Sequence, residues 1–299
     1  MVPPGPAELA PGWSHPVAHL VPYLFAITTT LQLIGVIAFQ PLQIGFDARL
    51  FAAAARAWLN GGNPWEVSDQ GVYFAAPPPS LLPFAPFAFL PDMVTTWLWV
   101  VGSVVIAVAA LRSLGAPLWW LLWWPVVSGC LVGSADVVVL GCLVIGRRLG
   151  WIAPVAKVYA FVPLLADRRW VTIAIAAAAI LLTVPILPWS MFLAALPLVT
   201  GHLASAAAST SVYGIPVLFG LGVIALLSLG LRRAGWLAVP VLWPSTQPHY
   251  LVPSIPAMSP TLAVAWTFPH PFIVLGGVVV DAILDSLHRH RFVGGKVNS

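Results

Sequence analysis

Charged side chains are scarce along the whole chain, and this scarcity limits what it can fold into. Only 13 Lys or Arg and 9 Asp or Glu residues occur among 299. Soluble domains carry roughly 25% charged residues, whereas this chain carries 7% and has a mean hydropathy of +0.95. So few charges cannot solvate a globular surface. The sequence therefore predicts an integral membrane protein of the all-α class.

Long apolar runs divide the sequence into segments that are able to cross a membrane. A helix needs about 20 apolar residues to cross the hydrocarbon core, and residues 20–39 form the first such run. Prolines interrupt a second run after Ser80, and it continues from 93 to 111. We predict a single membrane domain, residues 1–299, built as a bundle of about eight helical spans. The further predicted spans cover residues 117–132, 135–146, 170–188, 213–231, 236–253 and 261–285.

One apolar segment does not fit a simple crossing. Residues 151–166 lie between the pairs Arg147-Arg148 and Arg168-Arg169. Basic residues are concentrated in cytoplasmic loops, and a segment with both ends on the cytoplasmic side does not span. Two prolines also interrupt it. We predict a re-entrant segment, which is tolerated where protein or a water-filled cavity surrounds it.

The distribution of basic residues also orients the chain. With eight spans, the arginine pairs and the basic tail 286–299 all lie in the cytoplasm, and so do both termini. Residues 1–19 contain no Lys or Arg, which argues against a cleaved signal peptide and predicts a cytoplasmic N-terminal tail. Residues 40–79 then form an outer loop. Because the basic residues are dispersed rather than gathered in one patch, we expect no nucleic-acid partner.

The outer loop 40–79 holds the charges that the orientation rule does not explain. Arg49 and Arg56 are the two basic residues on the wrong side for that rule. Asp47 occupies the position of an N-cap before an alanine-rich helix that ends at Asn60. Apolar residues near one face predict that this helix lies on the membrane surface. Asp47 is either a helix cap or a carboxylate that serves chemistry, and the sequence leaves both open.

The order of motifs along the chain resembles that of the GT-C membrane glycosyltransferases. A first span is followed by Asp47 and a helix, then by Gly-Gly-Asn-Pro-Trp at 61–65, then by Tyr-Phe-Ala-Ala-Pro-Pro-Pro at 73–79, where a proline-broken span begins. More narrowly, this order is similar to glycosyltransferase family 87, the bacterial mannosyltransferases that use polyprenyl-phosphate-mannose. Weaker similarities lie at residues 133–136, at Lys157 and at residues 248–250.

The resemblance implies the inverting transfer of a sugar, mannose in that family, from a polyprenyl-phosphate-sugar donor to a glycolipid or cell-envelope glycan acceptor at the outer face of the membrane. A carboxylate would remove the proton of the acceptor hydroxyl, and we assign this base role to Asp47. Cationic and hydrogen-bonding groups would stabilise the leaving phosphate. Candidates for donor-phosphate binding are Arg49, Arg56, His249 and Tyr250. Candidates for the cavity or acceptor site are Tyr73, Pro78, Asp136 and Lys157.

Simpler roles remain open for several of these residues. His249 also fits an interfacial histidine, Asp136 an N-cap, and Lys157 a side chain that reaches to the cytoplasmic interface. No histidine spacing indicates a metal site, and no cofactor is expected. Two other functions fit the sequence: a transporter of small molecules or lipids, and a shortened, inactive relative that acts as an assembly partner. Membrane lipid is an expected partner in every case.

Overall fold

The computed structural model describes residues 19–39, 43–146, 148–205, 209–244 and 246–294. Most of these residues are helical, in agreement with the all-α prediction. Within this part of the chain, strands are confined to one antiparallel hairpin, β1 (Ser68–Asp69) and β2 (Val72–Tyr73), in which Ser68 is the partner of Tyr73. The predicted cytoplasmic tails, 1–19 and 286–299, and the start of the outer loop 40–79 fall mostly or partly outside the described residues.

The described α-helices range in length from 5 residues to 24 residues. Several 3-10 helices connect them, of which Pro78–Phe89 and Pro248–Ala257 are the longest described. The α-helices are α1 (Val21–Phe39), α2 (Phe46–Leu59), α3 (Asp92–Ser113), α4 (Trp124–Val132), α5 (Ala135–Val144), α6 (Ile152–Ala156), α7 (Phe161–Ala166), α8 (Trp170–Leu182), α9 (Trp189–Ser205), α10 (Pro216–Ser228), α11 (Leu231–Leu242), α12 (Pro260–Ala265) and α13 (Pro271–Gly294).

Two of the described helices are long and apolar enough to cross a membrane. They are α1 and α3, and they coincide with the runs predicted at 20–39 and 93–111. Helices α4 and α5 form a third candidate, but they are bent by 114° at a short break. With a rise of 1.5 Å per residue, each covers about 15 Å, half of the hydrocarbon thickness. The two spans predicted there are therefore one broken or re-entrant unit.

Prolines divide other predicted spans. The run predicted at 236–253 ends as an α-helix at Leu242 and continues as the 3-10 helix Pro248–Ala257, which contains two internal prolines. Each proline removes an N–H donor and clashes with the preceding turn, so a regular α-helix cannot continue. The re-entrant segment predicted at 151–166 is likewise divided, into α6, a 3-10 turn and α7, with Lys157 at the first break.

The surface of the described fold is strongly apolar. Val217 is 81% exposed, Phe89 78% and Val171 74%, and many residues of α1 and α3 are also exposed. Soluble monomers rarely expose contiguous apolar patches of more than a few hundred Å². Such a surface is suited to contact with lipid, which agrees with two helices that are long and apolar enough to cross a membrane.

Helix α2 packs one side of its surface against the rest of the protein. Half of its residues are buried, among them Phe46, Ala48 and Phe51. The helix packs against α3 and the 3-10 helix Pro78–Phe89, and the Phe51 and Phe84 rings lie 4.7 Å apart. Its alanines allow this close packing, so α2 is part of the core that supports the residues at its N-terminus.

A glycine starts α2 in a conformation that most residues avoid. Gly45 has φ +67°, and its N–H donates to the Leu131 carbonyl at 2.7 Å, which ties α2 to α4. An added Cβ would lie 2.4 Å from Thr96 Cγ2. Both the backbone conformation and the available space therefore require glycine at this position.

We expect Gly45→Ala to lower the free energy of unfolding by more than Gly61→Ala. Gly61 also has a positive φ, +76°, but an added Cβ there meets nothing within 4 Å. Gly61→Ala carries only the backbone cost of about 1 kcal/mol, whereas Gly45→Ala adds a clash and should reach about 2–3 kcal/mol. Denaturant unfolding of both purified variants in one detergent measures the difference. An equal loss of unfolding free energy in Gly45→Ala and Gly61→Ala would contradict the close packing around Gly45.

Candidate functional site

Asp47 lies in the first turn of α2. Gly45 is the N-cap residue, and no side chain caps this helix. The N-cap alternative for Asp47 is therefore wrong. The carboxylate is 17% exposed, and its Oδ2 lies 3.8 Å from His249 Nε2. Asp47 thus remains accessible at the edge of a polar group of residues contributed by distant segments.

Asp136 lies at the centre of this group and is fully buried. Gly133, with φ +72°, makes the bend between α4 and α5, and Ser134 then caps α5 by accepting the Asp136 N–H at 3.3 Å. The Asp136 carboxylate accepts hydrogen bonds from the Ser134 hydroxyl and the Tyr159 hydroxyl. A carboxylate with these partners is a fixed anion inside the protein rather than a group that lines an open cavity.

Lys157 provides the positive charge beside this anion. It lies at the break between α6 and the following 3-10 turn, with Nζ 3.6 Å from Asp136 Oδ2 and 3.3 Å from the Tyr250 hydroxyl. Nζ also lies 4.6 Å from the centroid of the Tyr250 ring, within range of a cation–π contact. Lys157 therefore points into the protein, and the alternative in which it extends to the cytoplasmic interface is wrong.

His249 joins the two carboxylates. Its Nε2 lies 3.6 Å from Asp136 Oδ2, close to its distance from Asp47, and the side chain is almost fully buried. The 3-10 helix Pro248–Ala257 carries both His249 and Tyr250. Gly129 on α4 allows the approach of this segment, because a Cβ there would lie 3.3 Å from His249 Cβ. We call Asp47, Asp136, Lys157, His249 and Tyr250 the polar cluster.

The far end of the 3-10 helix Pro248–Ala257 is held by a second buried ion pair. Arg233 on α11 donates from Nε to the Ala257 carbonyl at 3.0 Å. Its Nη2 lies 2.5 Å from Asp281 Oδ2 on α13, and Ser259 donates to Asp281 at 2.6 Å. The position of His249 is thus connected through its own segment to α11 and α13.

The environment of Asp47 makes it a stronger base than an ordinary aspartate. Burial raises the pKa of Asp47 above its usual 3.8, and the nearby His249 and Lys157 offset only part of this effect. A carboxylate with a raised pKa binds a proton more readily, and a pKa nearer the working pH is favourable for general base catalysis. The polar cluster therefore combines an accessible base with a fixed ammonium group and an imidazole.

Two predicted phosphate ligands lie outside the polar cluster. Arg49 pairs with Asp69 at 3.5 Å, and Arg56 pairs with Asp92 at 3.3 Å and donates to the Ala88 carbonyl at 2.8 Å. The reason is the helical period of 100° per residue. Arg49 and Arg56 lie about 200° and 180° around α2 from Asp47, so both project from the opposite side of the helix.

Tyr73 and Pro78 lie in the two segments that follow α2, the hairpin and the 3-10 helix Pro78–Phe89. Tyr73 is 36% exposed in β2 of the loop hairpin. Pro78 is buried at the start of the 3-10 helix that packs on α2. Pro78 therefore helps to support the helix that carries Asp47, while Tyr73 is at the surface of the hairpin.

Sequence reasoning missed Ser134 and Tyr159, which both donate to Asp136. A serine at position 134, two residues before Asp136, is typical of the N-cap of a helix. Tyr159 is two residues from Lys157 in an apolar, proline-containing segment, and a hydroxyl in such a segment needs a partner when it is buried. The serine cap and the tyrosine hydroxyl each indicate a nearby acceptor, but neither identifies Asp136 as the shared one.

Comparisons with known proteins provide no relative for this arrangement. No family model matches the chain, and neither the curated proteins nor the solved structures contain a match.

We expect Asp136→Asn to destabilise the protein far more than Asp92→Asn. Both changes remove the carboxylate partner of a basic residue. Breaking the buried pair leaves the Lys157 ammonium without its nearest counter-charge, which costs about 3–5 kcal/mol. Asp92 and Arg56 are exposed, so their pair contributes less than about 1 kcal/mol. Denaturant unfolding in one detergent compares the two, and a small effect of Asp136→Asn would contradict the buried pair.

Proposed function

We propose that this chain is an inverting glycosyltransferase of the GT-C type, with the polar cluster as its active site. The observation that carries the proposal is the meeting of Asp47, Lys157 and His249, which come from three distant segments. We further propose that about eight membrane segments hold this site, of which α4–α5 and α6–α7 are re-entrant and do not cross, with both termini in the cytoplasm and the polar cluster at the outer face. The two or three candidate spans and the apolar surface support a membrane location.

Asp47 is the proposed general base. In a single displacement, the acceptor hydroxyl oxygen bonds to the anomeric carbon of the sugar while the bond from that carbon to the phosphate oxygen breaks. The hydroxyl proton goes to Asp47, and the polyprenyl phosphate leaves with the bonding electrons. Asp47 suits this step because it is accessible and has a raised pKa. Asp136, which is fully buried, does not reach a substrate and acts by positioning Lys157 and His249.

Lys157, His249 and Tyr250 are the proposed donors to the leaving phosphate. Lys157 Nζ and the Tyr250 hydroxyl lie 3.3 Å apart, so one phosphate group is able to contact both. Donors fixed in advance stabilise the growing negative charge without reorganisation during the reaction. Arg49 and Arg56 are engaged by acidic residues elsewhere, and we do not assign them to the phosphate.

The proposed substrates follow from the same chemistry and from the resemblance of the motifs. The donor is a polyprenyl-phosphate-sugar, with mannose as the expected sugar, and its isoprenoid chain fits the lipid-facing surface. The acceptor is a glycolipid or cell-envelope glycan with a free hydroxyl. A phosphate leaving group of this kind needs little acid assistance, which agrees with a site that contains one accessible carboxylate and two or three phosphate donors.

We expect Asp47→Asn to reduce sugar transfer by at least 100-fold, because general base catalysis contributes about 10²–10⁴-fold. The assay adds radiolabelled polyprenyl-phosphate-mannose to membranes that contain the protein and follows label into lipid or polymer. Asp69→Asn is the matched control, since Asp69 is another outer-loop acid that pairs with Arg49 away from the polar cluster. It should retain activity within about threefold.

Equal incorporation by the unchanged protein, Asp47→Asn and Asp69→Asn would contradict the base role. Incorporation by none of them, in membranes where the protein is folded and the donor is intact, would instead favour the shortened, inactive relative.

The pH dependence of transfer provides an independent measurement. The base works only when it is deprotonated, and burial raises the pKa of Asp47 above 3.8. Activity should therefore fall as the pH is lowered through this raised value, at a higher pH than for an ordinary aspartate. We expect kcat/KM to lose about tenfold per pH unit on this acid side. An acid limb at or below pH 3.8 would contradict the assignment.

One observation favours a second candidate function, a transporter. Lys157 and Asp136 form a buried ion pair among apolar segments, and such pairs often mark an ion or substrate pathway in membrane proteins. Proteoliposomes distinguish the two functions. Uptake of a solute or lipid that depends on Lys157, without any transfer of labelled sugar, would favour transport.

A further inference from the structure

A cavity of about 640 Å³ lies apart from the polar cluster, between α7, α10 and α11. Its walls are almost entirely apolar and include Val162, Val223, Leu227 and Ala238. Along α11 the lining residues run from Leu231 to Leu242, a distance of about 16 Å. This length matches one leaflet of the hydrocarbon core, which is about 15 Å thick.

Charged residues occur at only one end of this cavity. Asp167, Arg168 and Arg232 line it there. Arg232 Nε lies 2.9 Å from Asp167 Oδ1, and Trp236 Nε1 also donates to this oxygen at 3.4 Å. The one acid of the lining is therefore neutralised by Arg232. Arg168 is exposed and adds a positive charge that Asp167 does not balance.

Arg168 has a backbone conformation that normally belongs to glycine. Its φ is +56°. It follows the last turn of α7, where its N–H donates to the Leu165 carbonyl at 3.0 Å and the Arg169 N–H donates to the Leu164 carbonyl at 2.9 Å. Helices that end in this way usually carry glycine at the left-handed position. An arginine here costs conformational energy, and strained positions of this kind cluster at ligand sites.

We propose that this cavity binds an anionic phospholipid. One acyl chain lies along α11 between α7 and α10, and the phosphate is held at the charged end by Arg168, with Arg232 beside it. An apolar channel as long as one leaflet with a net positive end complements this ligand in both length and charge. A zwitterionic lipid fits the apolar part equally well but brings a second, positive group to Arg168. The proposal does not depend on glycosyl transfer.

Native mass spectrometry of the full chain in detergent tests this proposal with phosphatidylglycerol and phosphatidylcholine of identical acyl chains. We expect the protein to retain about fivefold more phosphatidylglycerol than phosphatidylcholine. One basic residue near an anionic headgroup strengthens lipid binding by about that factor. Arg168→Gly should abolish the preference, whereas Arg168→Lys, which keeps the charge, should retain it within about twofold. Ala238→Trp, which fills the apolar part, should reduce retention of both lipids.

Arg168→Gly also separates binding from folding. Because glycine relieves the left-handed strain, the thermal unfolding midpoint of this variant in lipid-free detergent should stay the same or rise. Loss of the lipid preference without loss of stability would support the site. Equal retention of the two lipids by the unchanged protein, or an unchanged preference in Arg168→Gly, would overturn the proposal.

Discussion

The buried ion pair of Lys157 and Asp136 is the interaction on which the arrangement of this protein depends. Desolvating an ammonium or a carboxylate costs several kcal/mol, so each is retained only with close partners. Asp136 satisfies this need with Lys157 and with the hydroxyls of Ser134 and Tyr159. These partners come from the α4–α5 bend and from the broken segment after α6. The pair therefore determines where those irregular segments meet, and the accessible Asp47 is placed beside them.

Most residues of the polar cluster could be predicted from the sequence. In a chain with 9 acidic residues an isolated aspartate is conspicuous, and Asp47 was selected partly for this reason. Asp136, Lys157 and His249 became candidates through the resemblance of their motifs. Their contacts were not predictable, because Asp136 and His249 are separated by 113 positions and periodicity carries no information over such distances. The separation of Arg49 and Arg56 from Asp47 was predictable, since the helical period alone places them on the opposite side of α2.

The fold was less predictable than the polar cluster. Hydropathy located α1 and α3 because both are continuous helices of spanning length. It divided the apolar run correctly between 132 and 135 but took each half as a span, because composition alone does not show that α4 and α5 are each too short to cross. It also failed at 236–253, where prolines convert the second half into a 3-10 helix. In both places the backbone is irregular, and these irregular segments carry Asp136 and His249.

The anchoring of the segment Pro248–Ala257 at both ends has a consequence for how the protein is made. One end presents His249 to Asp47 and Asp136, while the other is fixed through Arg233 to Asp281 on α13. During synthesis α13 is the last of the described helices to leave the ribosome. Until it inserts, Arg233 lacks its counter-charge and the segment lacks its second attachment. A partly synthesised chain therefore lacks one of the two attachments of the segment that carries His249, and both are available only after α13 has been made.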